Sequence, residues 1–67
     1  MIWQPKIGHN VRINYKDKSL PYQGCEGEVV AVGRSIKNAL VKLRYPVLIY
    51  DRYDFYAVIP RGNLNYL

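Results

Sequence analysis

Apolar side chains recur at every second residue in two short segments, residues 9–15 and 38–44. A period of two places alternate side chains on opposite faces of a β-strand, one toward a core and one toward water. No window of ten or more residues has the three-and-four spacing of an amphipathic helix. Valine, isoleucine and tyrosine, which suit strands, are abundant. The alternation therefore predicts an all-β protein.

Turn residues divide the chain into five predicted strands, at residues 9–15, 26–33, 38–44, 55–59 and 64–67. Residues 33–37 are predicted as a hairpin loop, and residues 60–63 as a tight turn or one 3-10 turn. Pro46 interrupts the third strand, because proline cannot donate to a central ladder. Residues 46–54 then form either another strand or a long tyrosine-rich loop. Five short strands in so short a chain favour a small, partly open barrel.

The 67 residues predict one domain, residues 1–67, in which residues 1–6 are an N-terminal extension. One cysteine, Cys25, and one histidine, His9, cannot form a disulfide or close a zinc site. We expect no catalytic residues, metal or cofactor. The start of the chain lacks an apolar leader, and no segment has the length of a membrane helix, so the expected location is the cytoplasm.

Two glycines, Gly24 and Gly27, bracket the start of the second predicted strand. A barrel this small must bend its strands sharply and bring backbones close together. Glycine permits both, because it lacks a Cβ atom. We therefore expect Gly24 to end the preceding loop and Gly27 to lie at a corner of the barrel.

Together these glycines and alternating segments resemble the KOW motif of small SH3-like barrels. The matching positions are Gly8, Val11 and Ile13, then Gly24, Gly27 and Val29, then Ala39, Val41 and Leu43. The resemblance covers residues 7–44, and more loosely 55–67; the chain departs from it in a longer loop at 16–23 and an extra segment at 45–54. It implies an SH3-like barrel that contacts RNA, DNA or proteins. The stretch QGCEGEVVAV is also similar to part of the variable subunit of ferredoxin:thioredoxin reductase, which docks on a catalytic partner.

Ten lysines and arginines against five acidic residues give a net charge of +5, which favours polyanionic partners. Residues 44–56 interleave arginine with five aromatic rings, a combination that suits unpaired bases and phosphates. Alternation predicts that at least half of these rings are core. The predicted nucleic-acid-binding residues are Arg12, Arg34, Lys37, Lys42, Arg44, Tyr50, Arg52 and Tyr56.

The alternative is a protein-docking accessory subunit with Trp3 as an anchor, since interfaces favour tyrosine, tryptophan and arginine. Self-association through an edge strand or Trp3 is a third possibility. Binding of proline-rich peptides is disfavoured, because loop residues 16–18 are net basic. The carboxylates Glu26 and Glu28 share one face of a strand, and we expect them on the wet side near Arg12 or Lys42 rather than in an acid–base site.

Overall fold

The computed structural model describes residues 5–33 and 38–67, which contain five strands and one 3-10 turn. They are β1 (Asn10–Ile13), β2 (Glu26–Val32), β3 (Asn38–Ile49), β4 (Arg52–Pro60), the 3-10 turn (Arg61–Asn63) and β5 (Leu64–Tyr66). The strands form one antiparallel sheet in the order β4-β3-β2-β1-β5, which leaves β4 and β5 as its edges. The predicted fold class, an all-β, five-stranded and partly open barrel, is confirmed.

One hydrophobic core is built from alternate residues of the strands. Its buried members are Val11, Ile13, Val29, Ala39, Val41, Leu43, Ala57, Ile59 and Leu64. The alternation predicted for the first and third strands is therefore confirmed. Two half-buried tyrosines of the long loop, Tyr15 and Tyr22, pack against the core, as do Cys25 and Val47. The loop between β1 and β2 thus contributes to the interior.

Gly27 lies in β2 directly against the backbone of β3. A Cβ atom at this position would overlap the carbonyl oxygen of Lys42 and approach Cγ1 of Val41 to 2.7 Å. Gly27 is buried and pairs with Leu43 on β3 and with Val11 on β1. A glycine was expected either to bend the strand or to let two backbones come close together. At Gly27 the structure shows a close approach of the β2 and β3 backbones. Gly24 ends the loop with φ of 81°, a backbone conformation that side chains disfavour.

β3 continues through Pro46 to Ile49, so the prediction that it ends at Arg44 is wrong. Between the pairs Lys42–Tyr56 and Val47–Asp54, β3 advances five residues while β4 advances two. The three extra residues form an irregular bulge that contains Pro46. Because the ladder to β4 is already interrupted there, the missing N–H of proline removes no regular cross-strand bond to β4.

Beyond the bulge, β3 and β4 form a hairpin whose two-residue connection is Tyr50 and Asp51. Leu48 pairs with Tyr53 on one face of the hairpin, and Val47 pairs with Asp54 on the other. Residues 46–54 are therefore neither a separate strand nor a long loop: they are the end of β3, a two-residue turn and the start of β4. The predicted loop between β2 and β3 falls largely on residues 34–37, which lie outside the described residues.

Candidate nucleic-acid interface

Solvent-facing side chains of four adjacent strands form a mixed basic and aromatic surface, here called the outer-face cluster. Its members are Arg12 on β1, Glu26 and Glu28 on β2, Lys42 and Arg44 on β3, and Tyr56 on β4. Cross-strand pairing places Arg12 opposite Glu26, Glu28 opposite Lys42, and Lys42 opposite Tyr56. Directly opposed residues have Cβ atoms about 5 Å apart. The cluster is therefore continuous across the sheet.

Glu26 is the electrostatic centre of this cluster. Its Oε2 accepts hydrogen bonds from Nη2 of Arg12 at 2.7 Å and from Nε at 3.3 Å, and its Oε1 accepts one from Nη1 of Arg44 at 3.4 Å. The hydrogen bonds from Arg12, together with the positive charges of Arg12 and Arg44, lower the pKa of the Glu26 carboxyl. Glu26 thus orients two guanidinium groups and neutralises part of their charge. The expected proximity of Glu26 to Arg12 is confirmed.

Two of the charged side chains in the cluster make no ion pair with any described residue. Lys42 and Glu28 face each other across β2 and β3, and both are exposed. Beside them is an open groove of about 550 Å³. It is lined by Asn10, Glu26, Gly27, Glu28, Lys42, Leu43, Arg44 and Leu67. The groove offers both donors and acceptors to a ligand.

Every aromatic ring of residues 45–56 is largely exposed, so the prediction that at least half of them are core is wrong. The exposed fractions are 72% for Tyr45, 96% for Tyr50, 59% for Tyr53, 58% for Phe55 and 52% for Tyr56. Only the inner half of β4, with Ala57 and Ile59, reaches the core. The rings lie beyond the bulge or on the outer face, where no described element covers them.

Tyr45 lies beside the outer-face cluster, because the Arg44 guanidinium carbon is 5.9 Å from the centre of the Tyr45 ring. A smaller groove of about 300 Å³ includes Arg44, Tyr45, Pro46 and Cys25 in its wall. The bulge around Pro46 therefore turns a ring toward the arginine. Sequence reasoning named Arg44 but omitted Tyr45 from the binding residues, because the bulge is not visible in the alternation.

Two of the predicted binding residues, Tyr50 and Arg52, lie away from the cluster, at the end of the hairpin. At about 3.3 Å per residue, Arg52 is roughly 13 Å from Tyr56 along β4. Nε of Arg52 is 4.0 Å from Oδ1 of Asp54. The predicted surface is thus split between the outer-face cluster and the hairpin end. Arg34, Lys37 and Trp3, which were also predicted to bind a partner, lie outside the described residues.

A contact that sequence reasoning missed ties the long loop to the hairpin. The Tyr22 hydroxyl donates a hydrogen bond of 2.5 Å to Oδ2 of Asp54, although 32 positions separate the two residues. This bond, burial and the negative charge of Asp54 raise the pKa of Tyr22 to about 12. Tyr22 also has φ of 68°. No sequence pattern connects the two residues, because Tyr22 lies in a loop and Asp54 in β4, so that no strand pairing places them opposite each other.

The Tyr22–Asp54 bond predicts a loss of stability in alkali. The pKa of Tyr22 is about 12 in the folded chain and about 10 in an unfolded one. The unfolded chain therefore releases this proton first as the pH rises, and the stabilisation, complete below pH 10, decreases between pH 10 and 12. Urea unfolding at several pH values between 10 and 12 measures this loss of stability. Tyr22→Phe should be less stable at neutral pH and lose less between pH 10 and 12, and an unchanged alkaline slope would contradict the assignment.

Cys25 and His9 carry the single thiol and the single imidazole of the chain. Burial raises the pKa of the half-buried Cys25 thiol, which keeps it protonated at neutral pH. The exposed His9 ring contacts Tyr66 edge to face, with ring centres 4.7 Å apart. Within residues 5–33 and 38–67, no three His, Cys, Asp or Glu side chains are grouped so as to hold a metal ion.

Comparison with known proteins does not identify a family for this chain. No family model, curated protein or solved structure matches the chain. In the described part of the chain, none of the helical structure is long and apolar enough to cross a membrane. A functional proposal therefore depends on the surface of this chain itself.

Proposed function

We propose that this protein is a non-enzymatic nucleic-acid-binding module that uses the outer-face cluster together with Tyr45. One observation carries the proposal: Arg12, Lys42 and Arg44 share one continuous surface with the exposed rings of Tyr45 and Tyr56. Cations on such a surface meet phosphates, and exposed rings stack on unpaired bases.

The arrangement of charge favours single-stranded over double-stranded ligands. Two carboxylates, Glu26 and Glu28, lie among the cations, and they would repel the closely spaced phosphates of a duplex laid across the sheet. A single strand can turn its bases toward Tyr45 and Tyr56 and bring individual phosphates to Lys42 and Arg44. Stacking contributes about 1–3 kcal/mol per base. The two rings can therefore offset part of the repulsion from the carboxylates.

Titration of the protein with labelled single- and double-stranded oligonucleotides at several salt concentrations tests this function. We expect binding at low salt that weakens as salt rises, because bound phosphates release counterions. Lys42→Gln should reduce the salt slope by about one and weaken binding to all sequences. Lys16→Gln is the matched control, because it removes the same charge from an exposed loop outside the cluster. Absence of binding to either ligand at low salt would exclude the proposal.

A protein-docking accessory subunit is the second candidate, and a separate observation favours it. Leu48, Tyr53, Phe55 and Val58 on the β3–β4 hairpin are each more than half exposed, and exposed apolar clusters mark interaction sites. This candidate predicts a stoichiometric protein partner and no response to oligonucleotides. The titration described above therefore separates the two candidates.

A further inference from the structure

The two edges of the sheet differ in length and in protection. β5 has three residues, whereas β4 has nine, Arg52–Pro60, and no strand lies beyond it in the described part of the chain. Edge strands are usually protected from pairing by lysine, by a bulge in the edge strand or by proline. β4 has no lysine, and its two charged side chains, Arg52 and Asp54, are of opposite sign. Its single proline is the last residue, and the extra residues of the bulge belong to β3. Its backbone is therefore open to pairing.

Both faces of this open edge carry apolar side chains. Tyr53 and Phe55 alternate with Tyr56 and Val58, and each is more than half exposed. An open edge flanked by rings and aliphatic groups is suited to receive another strand, which would bond to the backbone and cover the side chains. The remaining question is which strand it receives.

We propose that β4 pairs antiparallel with β4 of a second copy of this chain, with Tyr53 on the two-fold axis. In this register, Arg52 of each copy lies opposite Asp54 of the other copy, so the dimer contains two such ion pairs. Directly opposed ion pairs and aromatic pairs both stabilise antiparallel strands. The strand is thus complementary to itself, as a two-fold interface requires.

The charges of the hairpin support a second copy as the occupant. The single base and single acid of β4 balance, although the whole chain carries +5. Two β4 strands can therefore pair without net electrostatic repulsion between them. In one chain, Nε of Arg52 is 4.0 Å from Oδ1 of Asp54, too long for a hydrogen bond. Both groups retain bonding capacity, while Oδ2 of Asp54 is held by Tyr22.

The conformation of Tyr50 is a second, independent indication. Tyr50 has φ of 57° in the two-residue connection, where glycine or asparagine would be less strained, and it is 96% exposed. The ring of Tyr50 is thus in a strained position and is not buried by any residue of ranges 5–33 and 38–67. Contact with a second copy would account for it. This inference does not depend on nucleic-acid binding.

Sedimentation equilibrium over a wide range of protein concentration, without nucleic acid, tests the proposal. We expect a monomer–dimer equilibrium that Tyr53→Lys abolishes, because it sets two cations against each other on the axis. Arg52→Asp should weaken the dimer on the order of tenfold, because it replaces two attractive pairs by repulsive ones. Tyr45→Lys is the matched control, since this tyrosine is also more than half exposed but lies in the bulge of β3. It should leave the dimer unchanged. Circular dichroism verifies that each variant is folded.

Cross-linking tests the register itself. In a Cys25→Ser background, Tyr53→Cys should form an intermolecular disulfide on mild oxidation, because directly opposed Cβ atoms are close enough. Tyr45→Cys in the same background should not. A monomer at every concentration, or a dimer that tolerates Tyr53→Lys, would overturn the proposal. Rings or filaments of more than two chains would also overturn it, in favour of head-to-tail pairing between β4 and β5.

Discussion

Gly27→Ala is expected to destabilise the fold more than a glycine-to-alanine substitution at any other described glycine. The new Cβ atom would overlap the carbonyl oxygen of Lys42, and Cγ1 of Val41 would be 2.7 Å away. The obstacle is the backbone of β3, which pairs on its other side with β4 and cannot shift alone. Overpacking of a core costs about 1–3 kcal/mol, and we expect a loss at or above the upper end.

A loss of this size is large for a chain of 67 residues, for which the whole free energy of unfolding is roughly 3–10 kcal/mol. Urea denaturation followed by circular dichroism measures the change. Gly62→Ala is the control, because a Cβ atom there meets nothing within 4 Å. We expect the control to change stability by well under 1 kcal/mol. If both substitutions changed stability equally, β2 and β3 would have to move apart around the new methyl group without loss of stability, which would contradict the prediction.

Features that depend on neighbours in the sequence could be predicted. Alternation placed Val11 and Ile13 in the core, and the clustered turn residues located the 3-10 turn at Arg61–Asn63. The need of a small barrel for sharp bends and close backbones also explains why glycines bracket the start of β2. Each of these depends on local backbone preference or on a period of two, so the sequence alone contains the information.

Features that depend on what covers a segment could not be predicted. The alternation of β4 is the same at Tyr53 and Phe55 as at Ala57 and Ile59, yet only the second pair is buried. The difference arises because no described element packs over the outer half of the hairpin. Similarly, Pro46 normally ends a strand, but the bulge carries β3 past it. Burial and bulges are tertiary properties, and a single sequence does not specify which elements will meet.

The candidate site was predictable in its residue types and only partly in its arrangement. Register brings Arg12, Lys42 and Arg44 to one surface. The binding of both arginines by one carboxylate, Glu26, depends on three strands lying in a particular order. Under the proposed function this arrangement affects affinity, because the carboxylate that orients the arginines would compete with phosphate for them.

Glu26→Gln is therefore expected to strengthen nucleic-acid binding. The substitution releases Arg12 and Arg44 from their shared carboxylate and removes one negative charge from the groove. Each arginine that becomes free to meet a phosphate should steepen the salt slope by roughly one, and affinity at low salt should rise on the order of tenfold. Folding should be little affected, because both ion pairs are solvent-exposed and such pairs contribute little to stability.

Glu28→Gln provides the matched control for this gain. It removes the same charge two residues further along the same face, but Glu28 makes no ion pair within the described part of the chain. We expect Glu28→Gln to raise affinity less and to leave the salt slope nearly unchanged, since it releases no arginine. Equal gains from both substitutions would mean that only the total charge matters. Weaker binding by Glu26→Gln alone would mean that Glu26 is needed to hold Arg12 and Arg44 in position, and that competition with phosphate is the smaller effect.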